Sequence, residues 1–329
     1  MATTHKLEEI LQIFLITCNR STLLDNTLRQ LQDSPFAACR FTILDNRSTD
    51  STPEVVSRYR EHFADYHVVR HNRNIGGDGN YLRAIELSTA MYTWVLCDDD
   101  NYDFADTADL IYALESCIYD LIYVASRSEV HLGWNWTGAT TTKTLIRGGA
   151  RYHRACAFWP GLIFRTQHFE DRFLHHAPYM FPAMKFINKS IDEDFSVYIP
   201  QREVVIRYEG SAPETSPLIL YREWVISISL VADHDIKKTV IEQWTNLGFF
   251  RTLAFWIAMD RVRRTPGLFK CYVDILFALT PAKRMQLIFL FPLLLLPIPR
   301  SALVRSREFV YALMGRKRDD LPPVDCVGR

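Results

Sequence analysis

The sequence predicts an α/β fold, with an open, mostly parallel sheet flanked by helices and followed by a helical C-terminal extension. Three observations predict it. Short apolar runs alternate with amphipathic stretches from residue 10 to about residue 125, which is the strand and helix alternation of a parallel sheet. Each run ends in polar or glycine-rich residues, as strands do at the edge where such sheets bind ligands. Beyond residue 217, helical patterns dominate to about residue 315.

Two strand and helix units open the predicted sheet. Residues 10–17 are almost all apolar, which predicts a strand buried on both faces. Apolar residues then recur at helical spacing over 21–34. Residues 40–44 predict the second strand. The capping-box pattern S-T-P-E at 51–54, with proline in the first turn, begins a helix that extends to about residue 63.

Two further strand and helix units end in polar residues that are expected to line a ligand-binding crevice. Residues 66–70 predict a third strand, which a helix from about residue 80 to residue 91 follows. Residues 93–97 predict the fourth strand. Because the carboxyl ends of parallel strands meet at one edge, we expect the polar residues at these four strand ends to lie close together. They are Thr17, Asn19 and Arg20, then Asp45, then Asn74, Gly76, Gly77 and Asn80, and finally Asp98, Asp99 and Asp100.

The sequence between residues 105 and 208 predicts a more mixed set of elements. Residues 105–117 predict a helix and residues 121–125 a strand, whereas the Trp-, Gly- and Thr-rich stretch 127–152 predicts a loop or edge hairpin beside the crevice. Further predictions are a strand at 157–165, the start of a short helix at 191–198 and a final strand at 203–208.

The aspartate block at 98–100 is the most informative motif. Three adjacent carboxylates repel one another unless a cation or hydrogen-bond donors compensate them. Alternation along an extended strand would place Asp98 and Asp100 on one side and Asp99 on the other. Two such carboxylates can hold Mn²⁺ or Mg²⁺, which take carboxylate, water and phosphate oxygens. The alternative is a solvated turn with an aspartate that caps the next helix.

Other candidate residues each have two interpretations. The Asp45 carboxylate can accept the imide N–H of uracil or thymine, or it can form a turn. Gly76 and Gly77 can bring backbone amides close to a ligand, or they can only turn the chain. Arg20 can bind phosphate or can be a solvated surface charge.

The composition excludes several classes of protein. With 48% hydrophobic and 23% charged residues, the chain is globular rather than disordered. Its seven cysteines contain no CxxC pair, which predicts reduced thiols in a cytoplasmic protein. No nucleic-acid-binding module accompanies the basic residues, so we expect no nucleic acid partner.

The C-terminal region, residues 216–329, is predicted to be helical, basic and apolar. From Arg261 to Arg318 the sequence has twelve Lys or Arg and two acids. Residues 285–298 are the most apolar stretch, but fourteen helical residues reach only about 21 Å, short of the roughly 30 Å bilayer core. We therefore expect a peripheral anchor on the anionic inner face of the cell membrane. The alternative is an ordinary core helix.

Six segments carry a family resemblance. They are TCNRSTLLDNTLRQL (17–31), ILDNRSTDSTPEVV (43–56), NRNIGGDGNYLRAIE (72–86), VLCDDDN (95–101), FWPGLIFR (158–165) and DEDFS (192–196). In this order they resemble the landmarks of family 2 inverting glycosyltransferases with the GT-A fold, of the kind that build bacterial polysaccharides and O-antigens. The resemblance covers roughly residues 10–210.

The resemblance implies a catalytic domain over residues 1–215 with the Rossmann-like GT-A sheet. Its donor would be a nucleotide-diphosphate sugar, with UDP or dTDP expected, and its acceptor a hydroxyl of a lipid-linked saccharide or polysaccharide. It implies metal binding by Asp100 and Asp98, and a general base at Asp194 or Asp192, with Glu193 not separable from them. The implied donor-binding residues are Thr17, Asn19, Arg20, Asp45, Asn74, Gly76, Gly77, Asn80, Asp98 and Asp99.

Two other functions fit parts of the pattern. A nucleotidyltransferase that makes sugar nucleotides would share a similar sheet, but its first strand usually leads into a glycine-rich phosphate loop. The segment Thr17-Cys-Asn-Arg20 has no glycine, which disfavours this function. A non-catalytic scaffold that binds sugar or lipid at the membrane would not need every acid of the crevice.

Overall fold

The structure is a computed structural model that describes residues 5–127, 132–169, 182–206, 217–245 and 267–279, with residues 253, 257, 284, 285 and 288. The chain divides into two compact units, Met1–Glu209 and Gly210–Arg329.

The first unit contains an eight-stranded sheet and a separate two-stranded sheet. The strands are β1 (Leu11–Thr17), β2 (Arg40–Asp45), β3 (Asp65–Arg70), β4 (Tyr92–Cys97), β5 (Asn101–Tyr102), β6 (Leu121–Tyr123), β7 (Gly138–Thr141), β8 (Leu162–Arg165), β9 (Ser196–Ile199) and β10 (Val205–Ile206). The large sheet has the order β3-β2-β1-β4-β8-β6-β9-β7, and β5 pairs with β10.

Most strands of the large sheet run in one direction. Strands β3, β2, β1 and β4 are parallel neighbours. Strand β8 is antiparallel to both β4 and β6, so β6 and the parallel β9 run in the same direction as β1. Strand β7 is antiparallel to β9. These pairings confirm the predicted, mostly parallel α/β sheet.

Helices surround this sheet and make up the described parts of the second unit. In the first unit they are α1 (Leu7–Ile10), α2 (Ser21–Gln32), α3 (Thr52–Arg58), α4 (Gly76–Leu87), α5 (Ala108–Glu115), α6 (Thr142–Arg147), α7 (Tyr152–Ala155) and α8 (Pro182–Asp192). In the second unit they are α9 (Pro217–Ser229), α10 (His234–Trp244) and α11 (Leu268–Ala278).

Four sequence predictions differ from the structure. Of the predicted strand 157–165, only Leu162–Arg165 is a strand. The stretch 191–198 is the end of α8 followed by β9, not the start of a short helix. The stretch 127–152 contains β7, α6 and the start of α7 besides its loop. Helix α4 begins at Gly76 rather than near residue 80, and the Asn74 side chain accepts a hydrogen bond from the Gly76 N–H at 2.8 Å just before it.

Strand β4 is held in the core by large apolar contacts. The Trp94 ring is fully buried, its Nε1–H donates to the Pro160 carbonyl at 2.8 Å, and the Phe36 ring meets it edge-on at 5.3 Å. Burial of a side chain this large stabilises the fold by roughly 2–3 kcal/mol. The strand that leads into the aspartate block is therefore fixed at its centre.

The second unit is built on packed helices. Helices α9 and α11 contact one another, and the Arg222 guanidinium of α9 binds Asp274 of α11, with 2.5 Å between Nε and Oδ2. None of the helices that the structure describes combines the length and apolar character needed to cross a bilayer. Apart from residues 285 and 288, the apolar stretch 285–298 lies outside the described residues.

Candidate functional site

The candidate site lies at the carboxyl edge of the large sheet. Thr17 of β1 is in register with Asp45 of β2, and Ile16 of β1 is in register with Cys97 of β4. The residue after Cys97 is Asp98. The ends of these three neighbouring strands therefore place a hydroxyl and two carboxylates side by side, where parallel sheets bind ligands.

Asp98 is buried and bonded to groups of the first strand end. Its Oδ2 accepts the Thr17 hydroxyl at 2.6 Å, and its Oδ1 lies 3.3 Å from Nη1 of Arg20. Its main-chain carbonyl accepts the Thr27 hydroxyl of α2 at 3.0 Å. Burial raises the pKa of the Asp98 carboxyl to about 6, although the Thr17 hydrogen bond and the Arg20 charge oppose this shift. The Asp98 carboxylate thus ties the strand ends together.

Asp99 and Asp100 are the carboxylates that converge on one another. Strand β4 ends at Cys97, so the side-chain alternation does not continue into the block. One ligand atom from each of Cys97, Asp99 and Asp100 lies within 4.8 Å of the other two. A turn rather than a strand carries these residues, so strand alternation does not support the pairing of Asp98 with Asp100, and that pairing stays a prediction.

The chemistry of this group fits a hard divalent cation. Burial and the three neighbouring aspartates raise the pKa of the Cys97 thiol well above its usual value, and sulfur is a soft donor that hard cations do not prefer. The remaining donors are two carboxylates, which Mn²⁺ and Mg²⁺ prefer. Arg20 Nη1 lies 2.8 Å from Asp99 Oδ2, so a positive charge borders the same acids.

Asp45 is engaged by the protein itself. Its Oδ1 accepts the Ser48 N–H at 2.8 Å, and its Oδ2 lies 3.2 Å from Nε of Arg70. The residue is buried. Asp45 therefore fixes the loop after β2, and its contact with a nucleotide base stays a prediction.

Asn46 is a site residue that the sequence interpretation missed. Its Nδ2 donates to Asn74 Oδ1 at 2.8 Å and to the Gly76 carbonyl at 3.2 Å, and its Oδ1 accepts the Ile75 N–H at 2.8 Å. This buried amide thus holds the glycine-rich segment against the end of β2. Its position directly after Asp45, at a strand end, was the one sequence signal for a site residue. Its role was not predictable from that signal, because its hydrogen-bond partners lie 28 to 30 residues away in the chain.

The glycine-rich segment is exposed and tightly turned. Gly76 has φ of 79°, a left-handed conformation that favours glycine. Gly77 is exposed, and a Cβ there would meet nothing within 4 Å. Asn80 is instead buried, since its Nδ2 donates to the Leu44 carbonyl at 3.0 Å and its Oδ1 pairs with His71 Nε2 at 2.8 Å. The Asn80 amide anchors α4 to β2.

Asn19 holds the first strand end to the loop after β2. It has φ of 54°, a conformation that Asn tolerates better than most residues. Its Oδ1 accepts the Thr49 N–H at 2.7 Å, and its own N–H donates to Ser48 Oγ at 2.9 Å. The two loops on either side of the crevice are therefore coupled.

Asp192 and Asp194 lie at the opposite edge of the sheet. Strand β9 runs in the same direction as β4, and Asp194 precedes its first residue. Across β8 and β6, Tyr198 of β9 is level with Trp94 of β4, so Asp194 lies toward the edge where β4 begins, whereas the block at 98–100 follows the other end of β4. Asp194 Oδ1 accepts the Lys143 N–H at 2.9 Å at the start of α6, which is a structural role. That one of these acids is the general base stays a prediction, which this strand register does not support.

We expect Asp194→Asn to keep at least about one third of the wild-type turnover. The amide oxygen can still accept from Lys143, and Asn adopts the left-handed backbone that Asp194 has, with φ of 55°. The measurement is the initial rate of sugar transfer or donor hydrolysis, with the melting temperature as a check on folding. A loss of about a hundredfold in a folded variant would contradict the structural role.

Comparisons with known proteins give a family match and a fold match. The model of the family described as glycosyl transferase family 2 matches residues 12–195, more than half of the chain. A crystal structure of S. aureus TarS residues 1–349 has a TM-score of 0.58 and 15% identity, covering 94% of this chain and 93% of that chain. The same TarS fragment with UDP-GlcNAc has a TM-score of 0.59 and 14% identity, with the same coverage. At such identity these likenesses show the fold alone.

A curated relative matches a shorter part of the chain. The abequosyltransferase RfbV of Salmonella typhimurium (strain LT2) is 31% identical over 87 residues. This match spans about a quarter of each protein, 26% in both cases.

Proposed function

The chain belongs to glycosyl transferase family 2, as its sequence resemblance predicted, and from this premise we propose that it transfers a sugar from a nucleotide-diphosphate donor to an acceptor hydroxyl. One observation carries the proposal. Asp98, Asp99 and Asp100 meet Thr17 and Arg20 at the carboxyl edge of the sheet, which provides both carboxylates for a cation and a positive charge for phosphate.

The donor is proposed to be a UDP- or dTDP-linked sugar. TarS, which shares the fold, binds UDP-GlcNAc. In this chain the glycine-rich segment leaves the exposed Gly77 backbone at the crevice edge, where a nucleotide could approach without a side-chain clash. The Arg20 guanidinium beside Asp98 and Asp99 can bind the diphosphate.

We propose that Asp99 and Asp100 would hold Mn²⁺ or Mg²⁺. When bound, such an ion neutralises negative charge on the departing diphosphate as a Lewis acid. Asp98 is proposed to position the site without binding the ion, because its carboxylate already accepts hydrogen bonds from Thr17 and Arg20.

The transfer is proposed to be inverting, by direct displacement. The acceptor hydroxyl attacks the sugar carbon from the face opposite the diphosphate and gives its proton to a carboxylate. We do not assign that proton to Asp194, since its carboxylate accepts the Lys143 N–H and it lies before the first residue of β9.

The acceptor is proposed to be a lipid-linked saccharide or a polysaccharide at the inner face of the cell membrane. Trp136 is exposed and precedes β7, whose first residue pairs with Ile199 at the end of β9. Residue 136 is therefore proposed to lie toward the same edge of the sheet as the aspartates. Sugar rings have apolar faces that pack on exposed aromatic rings.

A binding screen tests the donor and the metal together. We expect a UDP- or dTDP-sugar at ten times its dissociation constant to stabilise the protein by about 1.4 kcal/mol. This raises the melting temperature by about 2–5 °C, and Mn²⁺ should increase the shift. GDP-sugars and free sugars serve as controls. A folded protein that no nucleotide sugar stabilises, with or without Mn²⁺, would rule out the proposed donor class.

A further inference from the structure

Helix α11 of the second unit packs through one face. Cys271, Tyr272 and Ile275 are buried, and this side of the helix meets α9. At 100° per residue these three side chains span about one third of the helix circumference. In a helix on the surface of a globular unit, the opposite side is normally polar.

The opposite side of α11 is apolar instead. Phe269, Val273, Leu276 and Phe277 fall within about 100° of one another, and we name these four residues the outer face of α11. Phe269 is 56% exposed and Phe277 is 67% exposed. Two phenylalanines that are each more than half exposed on one helix face are typical of an interaction surface rather than of scattered exposure.

The charges around the outer face are positive. Lys270 is exposed next to Phe269. The Arg284 guanidinium lies 5.8 Å from the Phe277 ring centre, and it donates to the carbonyls of Phe277 and Leu279 at 2.6 and 2.8 Å. The acid on this helix, Asp274, has its charge compensated by Arg222 of α9.

The surrounding sequence extends this positive field. The 58 residues from Arg261 to Arg318 hold twelve Lys or Arg and two acids, a net charge of +10. A second copy of the chain docked symmetrically on the outer face would bring two such positive sets together, which like-charge repulsion disfavours. An anionic lipid surface offers both the apolar interior and the negative charge that this face lacks.

We propose that the outer face of α11 docks on an anionic membrane surface, with the Phe269 and Phe277 rings inserted among the lipids and Lys270 and Arg284 at the headgroups. The inference rests on the proposed action at the inner face of the membrane. It assigns that contact to α11, at the amino-terminal side of the apolar stretch 285–298.

Vesicle sedimentation of the full chain tests this assignment. We expect the wild-type protein to sediment with phosphatidylglycerol vesicles and to bind phosphatidylcholine vesicles at least about tenfold more weakly. The double variant Phe269→Gln/Phe277→Gln should bind phosphatidylglycerol vesicles at least about tenfold more weakly than the wild type, because it loses both inserted rings while glutamine preserves helix propensity.

A matched substitution controls for the general loss of an exposed aromatic ring. Tyr112 on α5 of the first unit is 72% exposed, and Tyr112→Gln should bind vesicles as the wild type does. All variants should unfold at the same temperature and turn over donor at the same rate with a soluble acceptor. The turnover measurement therefore distinguishes a loss of membrane docking from a loss of the proposed enzymatic activity.

Two results would overturn the assignment. One is a double variant that binds anionic vesicles as tightly as the wild type, which would place the membrane contact elsewhere in the chain. The other is a wild-type dimer in solution that becomes monomeric in the double variant, which would assign the outer face to a second copy.

Discussion

Asp100→Asn is expected to lower the turnover of the nucleotide sugar by at least about a hundredfold while leaving the protein folded. The substitution keeps the size of a buried side chain and removes one of two carboxylates whose oxygens converge after β4. A single remaining carboxylate at Asp99, already 2.8 Å from Arg20, would hold a divalent cation weakly. The measurement is the initial rate of transfer or donor hydrolysis across a Mn²⁺ titration.

A nearby acid provides the control for this prediction. Asp103 follows the block, and its Oδ1 accepts the Ala105 N–H at 3.0 Å, a bond that the amide of Asp103→Asn can keep. We expect that variant to retain turnover within about threefold of the wild type. Should Asp100→Asn retain more than a tenth of the wild-type rate with an unchanged response to Mn²⁺, the cation is held elsewhere.

The first half of the sheet and the position of the crevice were predictable from local patterns. Apolar runs buried on both faces identify parallel strands, and the polar residues after them meet at one edge because parallel strands share their direction. Thr17, Asp45 and Asp98 meet in the structure for this reason alone. No long-range information was needed to place them.

Two details of the site depend on where a strand stops and on which strand it pairs with. Alternation at the aspartate block would have required β4 to continue beyond Cys97, and a turn groups Asp99 with Asp100 instead. Asp194 is adjacent in sequence to a strand, but the edge it occupies is set by the pairing of β9 with β6, 76 residues away in the chain. The sequence pattern around Asp194 has no signal for that pairing.

The roles of two buried amide side chains also depend on partners far away in the sequence. From the sequence alone, Asn46 is a polar residue at a strand end and Asn80 a polar residue in a helix, so either side chain could have faced a ligand. The structure uses both to fasten α4 and its preceding turn to β2. A buried amide needs partners for its donors and acceptor, so the partners decide its role.

Arg20→Gln is expected to lower kcat/KM for the donor by roughly ten- to a hundredfold. Arg20 places Nη1 3.3 Å from Asp98 Oδ1 and 2.8 Å from Asp99 Oδ2, so it compensates two adjacent acids. Without this guanidinium, the diphosphate of the donor would approach carboxylates whose negative charge is uncompensated. We expect most of the loss in KM, because the repulsion acts already when the donor binds.

Two further variants separate the binding role of Arg20 from a stabilising one. Arg29, in the last turn of helix α2, forms an ion pair with Asp25 at 2.7 Å and contacts none of the aspartates at 98–100, and Arg29→Gln should leave the kinetics unchanged. The Arg20 side chain is 38% exposed, so its ion pairs should add less than about 1 kcal/mol to stability. Arg20→Lys should recover part of the affinity through its charge, but not all, because an ammonium that contacts the acids has no second nitrogen to offer the diphosphate. If Arg20→Gln and Arg29→Gln had equal kinetics, the Arg20 guanidinium would have no part in donor binding.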